Sequence, residues 1–266
     1  MWKIDKIQKL LNLHWVYWTL FFVIFFASLG VSLNYLEPRI HADSAYYPNV
    51  PFGEQLFETI SENLPDSDKN TILNSRGATV KIYTTLFLDY PPFVVSATGT
   101  GIYVTFEDRN YILTAAHMVA DCNYLYITTG HSESADCWEI AYVDEELDIA
   151  LIEIEGPLST RTAISLMGSI NASKDYSIGE EIYYSGYPND SGLLTIKGRI
   201  AGYSYDKFLL QSYAWHGASG SGIFNSSGEL IGVVSAVQVG YDSQSFELIE
   251  TIVYGAPISL IDFSLL

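Results

Sequence analysis

From about Ala78 onward the sequence predicts an all-β fold, a barrel or a sandwich, behind one N-terminal transmembrane helix. Three observations carry this prediction. Short β-rich apolar runs succeed one another with no long helical pattern between them. Turn-forming clusters such as Asp108-Arg109-Asn110, Asn189-Asp190-Ser191-Gly192 and Asn225-Ser226-Ser227-Gly228 separate the runs. Near the N-terminus stands a single stretch of 19 residues, 15–33, without a formal charge.

That stretch, WVYWTLFFVIFFASLGVSL, would span about 28 Å as a helix, close to the hydrocarbon thickness of a bilayer. Trp15, Tyr17 and Trp18 stand at one end and Tyr35 just past the other, where aromatic belts lie. A buried core helix would show a polar stripe, and none is present. A cleaved signal peptide is the alternative, with Ala27-Ser28-Leu29-Gly30 offering small residues for cleavage. Its apolar region would run about 7–15 residues, so the longer run here is read as an uncleaved signal anchor. Lys3, Lys6 and Lys9 precede the span and Arg39 alone follows closely, which places 1–14 in the cytoplasm and the rest outside it, periplasmic or extracellular.

Residues 34–77 read as an acidic stalk broken by Pro38, Pro48, Pro51 and Pro65. Within it Leu56, Phe57, Ile60 and Leu64 would share a face of one short helix over 53–64. The remaining 78–266 form one domain, with strands expected at 79–88, 101–106, 124–129, 149–154, 181–187, 193–203, 207–213 and 229–239.

Composition narrows the function. Of 266 residues, 48% are apolar, 14% aromatic and only 17% charged, which excludes a disordered chain. A net charge of −18, with no basic run longer than two residues, excludes nucleic acid as a partner, since phosphates need Lys and Arg. The histidines show no metal-ligand spacing with Cys122 and Cys137, and Asp144-Glu145-Glu146 fits no EF-hand pattern, so no metal is expected.

Three strings carry chemistry. Tyr111-Ile112-Leu113-Thr114-Ala115-Ala116-His117 is a buried-type strand ending in a histidine. Asp148-Ile149-Ala150-Leu151 opens an apolar strand with an aspartate. Gly217-Ala218-Ser219-Gly220-Ser221-Gly222 is a Gly/Ser turn. A serine hydroxyl is a poor nucleophile until a base takes its proton, and a histidine held by a buried carboxylate is the best such base. Backbone N–H groups must also meet the developing oxyanion, which glycines permit; Gly217 and Ser219 supply two. Each string alone is weak, but the order His, Asp, Ser on an all-β background distinguishes one arrangement from the other serine-hydrolase orders.

On these residues the segment from about 79 to 258 resembles the trypsin-like (chymotrypsin-fold) serine peptidases, in a compact bacterial, HtrA-like form. Thr114-Ala115-Ala116-His117, Asp148-Ile149-Ala150-Leu151 and the 217–222 loop match the family's three motifs. Gly99-Thr100-Gly101, Gly186-Tyr187-Pro188 and Gly232-Val233-Val234-Ser235 are softer matches. A form without a PDZ domain is expected, and no zymogen-type activation site is evident. The resemblance implies two six-stranded β-barrels with the active site between them, His117 and Asp148 on the first and Ser219 on the second. It implies a specificity pocket near Tyr213, His216, Ser235 and Val237. No acid stands at Tyr213, and Val237 replaces a frequent glycine, which points to a small or aliphatic residue before the scissile bond. It implies a protein or peptide substrate and no cofactor.

Cys122 and Cys137 lie in the part expected outside the cytoplasm, where a disulfide persists. A bond between them would contribute about 3 kcal/mol in the chain-entropy model; two buried thiols are the alternative. Two other functions stay open on the sequence: a catalytically silent binding module, and an esterase or acyltransferase using the same three residues.

Overall fold

A computed structural model of the chain describes residues 60–266, apart from 89–92, 120–121, 130–132, 172–175, 191 and 243–244. The expected span 15–33, the segment 1–14 and most of the 34–77 stalk lie outside the described residues. Among those described, no helix is long and apolar enough to cross a membrane. The short helix expected over 53–64 also lies largely outside them, and its described end, 60–64, is not helical. Pro65 accounts for Leu64 alone, since it disfavours the α conformation at the residue before it.

A helix does follow, α1 at Asp66–Ala78, in what the sequence suggested was stalk. Asp66 and Asp68 in its first turn and Arg76 in its last complement the helix dipole. Its buried residues, Asp68, Thr71, Ser75 and Ala78, form a stripe that is polar except at the end. α1 leads into the first sheet, made of β1 (Thr79–Leu88), β2 (Phe93–Phe106), β3 (Arg109–Thr114), β4 (Leu125–Thr128), β5 (Ser134–Asp136), β6 (Glu139–Asp144), β7 (Ile149–Glu153) and β8 (Ile164–Ser165). Their order is β5-β4-β1-β2-β3-β7-β6, with β8 parallel to β2. The β2–β3 hairpin turns on Glu107 and Asp108, at φ 48° and 62°, the two left-handed residues that match the twist of the strands.

This first sheet is not the closed six-stranded barrel that was expected. Its edges β5 and β6 are separated in the chain only by Cys137-Trp138, so a single bent strand serves both. At the bend, Cys137 N–H donates to Leu125 O on β4 (3.4 Å) and Trp138 N–H to Glu153 O on β7 (3.1 Å). The circuit is therefore completed along the chain, through one corner, without a ladder between the edges. Cys137 at that corner is disulfide-bonded to Cys122, with Cα atoms 5.3 Å apart.

A short helix α2 (Leu166–Asn171) leads to the second sheet: β9 (Glu181–Gly186), β10 (Leu194–Ser204), β11 (Lys207–Gln211), β12 (Gly222–Asn225), β13 (Leu230–Asp242) and β14 (Ser245–Pro257). These six close a barrel in the order β10-β11-β14-β13-β12-β9. Ile182, Tyr184, Ile200, Phe208, Leu210, Ile223 and Val253 fill it. A second cluster, with Ile102, Leu113, Leu151, Phe224 and Val233 among its members, joins the two sheets.

α1 docks on the closed barrel through hydrogen bonds. Tyr183 Oη donates to Asp68 Oδ2 (2.6 Å), Ser75 Oγ to Ser185 Oγ (2.8 Å), and Arg76 Nη1 to Leu193 O (3.2 Å) and Thr195 Oγ1 (3.1 Å). Lys197 Nζ sits 3.6 Å from Asp68 and 3.0 Å from Glu181. The Tyr183 hydroxyl holds the Asp68 carboxyl below the usual carboxylate range, with Lys197 adding to it against the opposing effect of burial.

Candidate active site

β3 is buried over its last four residues, and the buried Ala115 and Ala116 carry the chain to a single 3-10 turn, Ala116–Met118. Small side chains let that turn lie against the sheet and present His117 outward, with 48% of its side chain exposed. Asp148 closes the turn between β6 and β7 at φ 60°, a left-handed conformation that Asp tolerates better than most residues. The next five residues, β7, are all buried and fix that turn in place.

The two side chains meet. His117 Nδ1 lies 3.0 Å from Asp148 Oδ1 and 2.9 Å from Oδ2, and the His117 amide donates to Oδ1 at 2.9 Å. Ser235 Oγ donates to Oδ2 at 2.5 Å. An ionised carboxylate only accepts, so Nδ1 carries the proton facing Asp148 and the Nε2 lone pair is left on the far side of the ring. Burial pushes the Asp148 carboxyl up, but the hydrogen bonds from His117 and Ser235 outweigh it and hold the group below its usual value.

Ser235 reaches this position because it is the extra residue of a β-bulge: Val234 pairs with Gly255 and Ala236 with Tyr254, leaving Ser235 unmatched. Bulges re-aim a side chain in this way. Its hydroxyl, expected in a specificity pocket, is therefore committed to Asp148, and Lys207 Nζ stands 3.5 Å behind it. Of the other expected pocket residues, Tyr213 is exposed and its carbonyl accepts from the Tyr184 hydroxyl. His216 is exposed with its ring against Trp215, and Val237 packs on the core of the closed barrel.

Ser219 lies between two left-handed glycines, Gly217 at φ 93° and Gly220 at φ 83°. Neither tolerates a side chain: a Cβ on Gly217 would lie 2.3 Å from Tyr187 O, and one on Gly220 2.1 Å from Thr100 O. The peptides around the serine are pinned by their carbonyls. His216 O accepts from Asn189 N (2.5 Å) and Ala218 O from Ser221 N (3.0 Å). In a trans peptide the N–H points opposite to the C=O, so the Gly217 and Ser219 N–H groups face away from both anchors. Neither donates a hydrogen bond among the described residues. Two unspent donors beside a serine suit a developing oxyanion.

The first sheet brings the two halves together. Thr100 N–H donates to Ser219 O (2.8 Å), and Gly220 packs against Thr114 and the Ala115 amide, just ahead of His117. Ser219 Oγ and His117 make no hydrogen bond in this structure, and such contacts commonly tighten only with substrate bound. A separate groove lined by Glu133, Asp136, Trp138, Glu155 and Leu158 contains none of His117, Asp148 or Ser219. Among the described residues no group of three or more His, Cys, Asp or Glu is placed to hold a metal ion. Sequence reading gave Asn189 only a turn role and missed the Ser235–Asp148 bond; the bulge that aims Ser235 leaves no mark in residue type.

A closed β-barrel beside a half-barrel, with a His–Asp pair on one and a glycine-framed serine on the other, defines a class. Residues 99–233 match the family model of the trypsin-like peptidase domain, and the chain belongs to that family. Among solved structures it is similar to the serine endoprotease from Yersinia pestis (20% identity, TM-score 0.57, covering 74% of this chain and 64% of that one). It is likewise similar to the HtrA-type protease AlgW with tripeptide (19% identity, TM-score 0.56, 74% of this chain and 61% of that one). The chain thus spans less than two thirds of the length of either, and at this identity the likeness is one of fold. No curated protein matches it.

Proposed function

We propose that the chain is a membrane-anchored serine endopeptidase that acts outside the cytoplasm, with 15–33 as its anchor. The observation that carries the catalytic part is the bonded His117–Asp148 pair opposite a serine flanked by two unspent N–H donors. In this reading His117 Nε2 takes the Ser219 Oγ proton as Oγ bonds to the scissile carbonyl carbon. The carbonyl oxygen becomes an oxyanion held by the Gly217 and Ser219 N–H groups. Asp148 keeps the imidazole in its Nδ1–H tautomer and stabilises the imidazolium. His117 then returns the proton to the leaving amine, the C–N bond breaks, and an acyl-enzyme remains. Water, deprotonated by the same His117, releases the acid and restores Ser219. The lack of an acid at Tyr213, and valine at 237 where this family often has glycine, favour a small or aliphatic residue before the cleaved bond.

The test is labelling of the full chain, in detergent, with a fluorophosphonate probe beside Ser219→Ala. Labelling of the wild type is expected and should vanish in the variant, and peptide hydrolysis should fall by about 10⁶-fold. A wild type that neither labels nor cleaves would refute the reading in favour of a binding module. Cleavage of esters but not amides would make it an esterase.

A further inference from the structure

Gly99-Thr100-Gly101 is a motif the proposed chemistry leaves unused, yet its central residue makes several of the contacts that hold the serine loop. Thr100 lies on β2, fully buried. Its hydroxyl donates to Gly217 O at 2.7 Å and accepts from Tyr187 N–H at 3.1 Å. Its own N–H donates to Ser219 O at 2.8 Å. Its carbonyl accepts from Thr114 Oγ1 at 2.8 Å, three residues before His117. One residue of the half-barrel thus engages the carbonyls of Gly217 and Ser219 on the closed barrel, the exit of β9, and the strand that carries the histidine.

A hydroxyl has one proton to give and lone pairs to receive with. Here the proton goes to the oxyanion-loop carbonyl and a lone pair takes Tyr187 N–H, so the two are held at a fixed spacing by a single atom. Tyr187 O is the atom on which Gly217 rests, and Asn189, two residues on, anchors the His216 carbonyl. Losing the strut would free both contacts that aim the Gly217 N–H. The flanking glycines, on the opposite face of β2, seat the strand tightly in its own sheet: a Cβ on Gly99 would lie 2.5 Å from Met118 Cε, and one on Gly101 2.4 Å from Ile112 Cγ2.

We infer that Thr100 is a positioning residue for the oxyanion donors, its hydroxyl holding the 217–219 loop in its working shape from across the two sheets. The inference rests on the peptidase reading above. Thr100→Val keeps the shape and removes the hydroxyl; Thr100→Ser keeps the hydroxyl. With the full chain and a peptide amide substrate, Thr100→Val should lower kcat by about 10- to 100-fold, less than the 10²–10³ of losing a donor outright. KM should stay within about twofold, as for a group that acts only in the transition state. Binding of a peptide aldehyde, whose hemiacetal oxygen occupies the oxyanion position, should weaken by the same factor, and Thr100→Ser should restore both. Thr100→Ala is the second probe if the valine variant does not fold. An active wild type whose Val and Ala variants keep full kcat, or whose kcat loss serine does not restore, would overturn the inference alone. A wild type with no peptidase activity would overturn the reading beneath it as well.

Discussion

Asp148 is held through its side chain, by donors from His117 and Ser235, whereas the loop 216–220 is held through its backbone, by Asn189, Thr100, Val234 and its own turn. The first arrangement depends on what each side chain is. The second depends on glycine at 217 and 220 having no side chain at all. The two halves should therefore fail differently when altered, one through lost charge and the other through lost shape.

The sharpest break is Asp148→Asn, which preserves volume but gives Nδ1 a partner able to donate, and so favours the wrong imidazole tautomer. kcat should fall by about 10⁴-fold with little change in KM, read by steady-state peptide hydrolysis. On the other side, Gly217→Ala forces a Cβ to within 2.3 Å of Tyr187 O. A fall in kcat of about 10²–10³-fold is expected, since the displaced N–H no longer meets the oxyanion. It should also lower the melting temperature by more than Asp148→Asn, which loses charge-assisted hydrogen bonds but creates no clash, and equal thermal stability of the two variants would erase the contrast.

The smallest effect falls on α1, where a charged acceptor meets a neutral donor. Tyr183→Phe should cost about 1.5–3 kcal/mol of stability, the worth of a hydrogen bond to a charged group, read by urea unfolding near neutral pH. The Asp68 carboxyl is depressed in the folded protein. Its contribution is present above the unfolded value near 3.9 and is lost as pH falls through the lower folded value. The difference between wild type and variant should shrink as pH falls below the unfolded value, and one that stays constant however far the pH is lowered would argue against the Asp68 bond as its source.

Strand positions were legible where an apolar run had turn residues at both ends. The reading of 79–88 coincides with β1, and those of 149–154 and 207–213 overrun β7 and β11 by one and two residues. β5, with three residues of which none is buried, and β8, with two, offer no pattern to read. The half-barrel was not legible, because alternation gives strands and says nothing of how the edges meet. α1 escaped for a different reason: Asp68, Thr71 and Ser75 face inward, so a search for an apolar stripe finds only a polar stretch. At the candidate site, His117, Asp148 and Ser219 stood out because the proposed chemistry restricts residue type there. The strut at Thr100 and the anchor at Asn189 act through main-chain partners more than 25 residues away in sequence.

The polar face of α1 bears on how the chain is made. Its partners Ser185, Tyr183 and Ser226 come 110, 115 and 155 residues later. At about 5–20 residues per second, a ribosome needs roughly 5–30 s to deliver them after the helix has emerged. An apolar stripe left waiting that long would be a sticky surface on a half-made protein. A stripe of Asp, Thr and Ser is content in water until the barrel arrives, so the helix can be first in sequence and last to dock without endangering what is built in between.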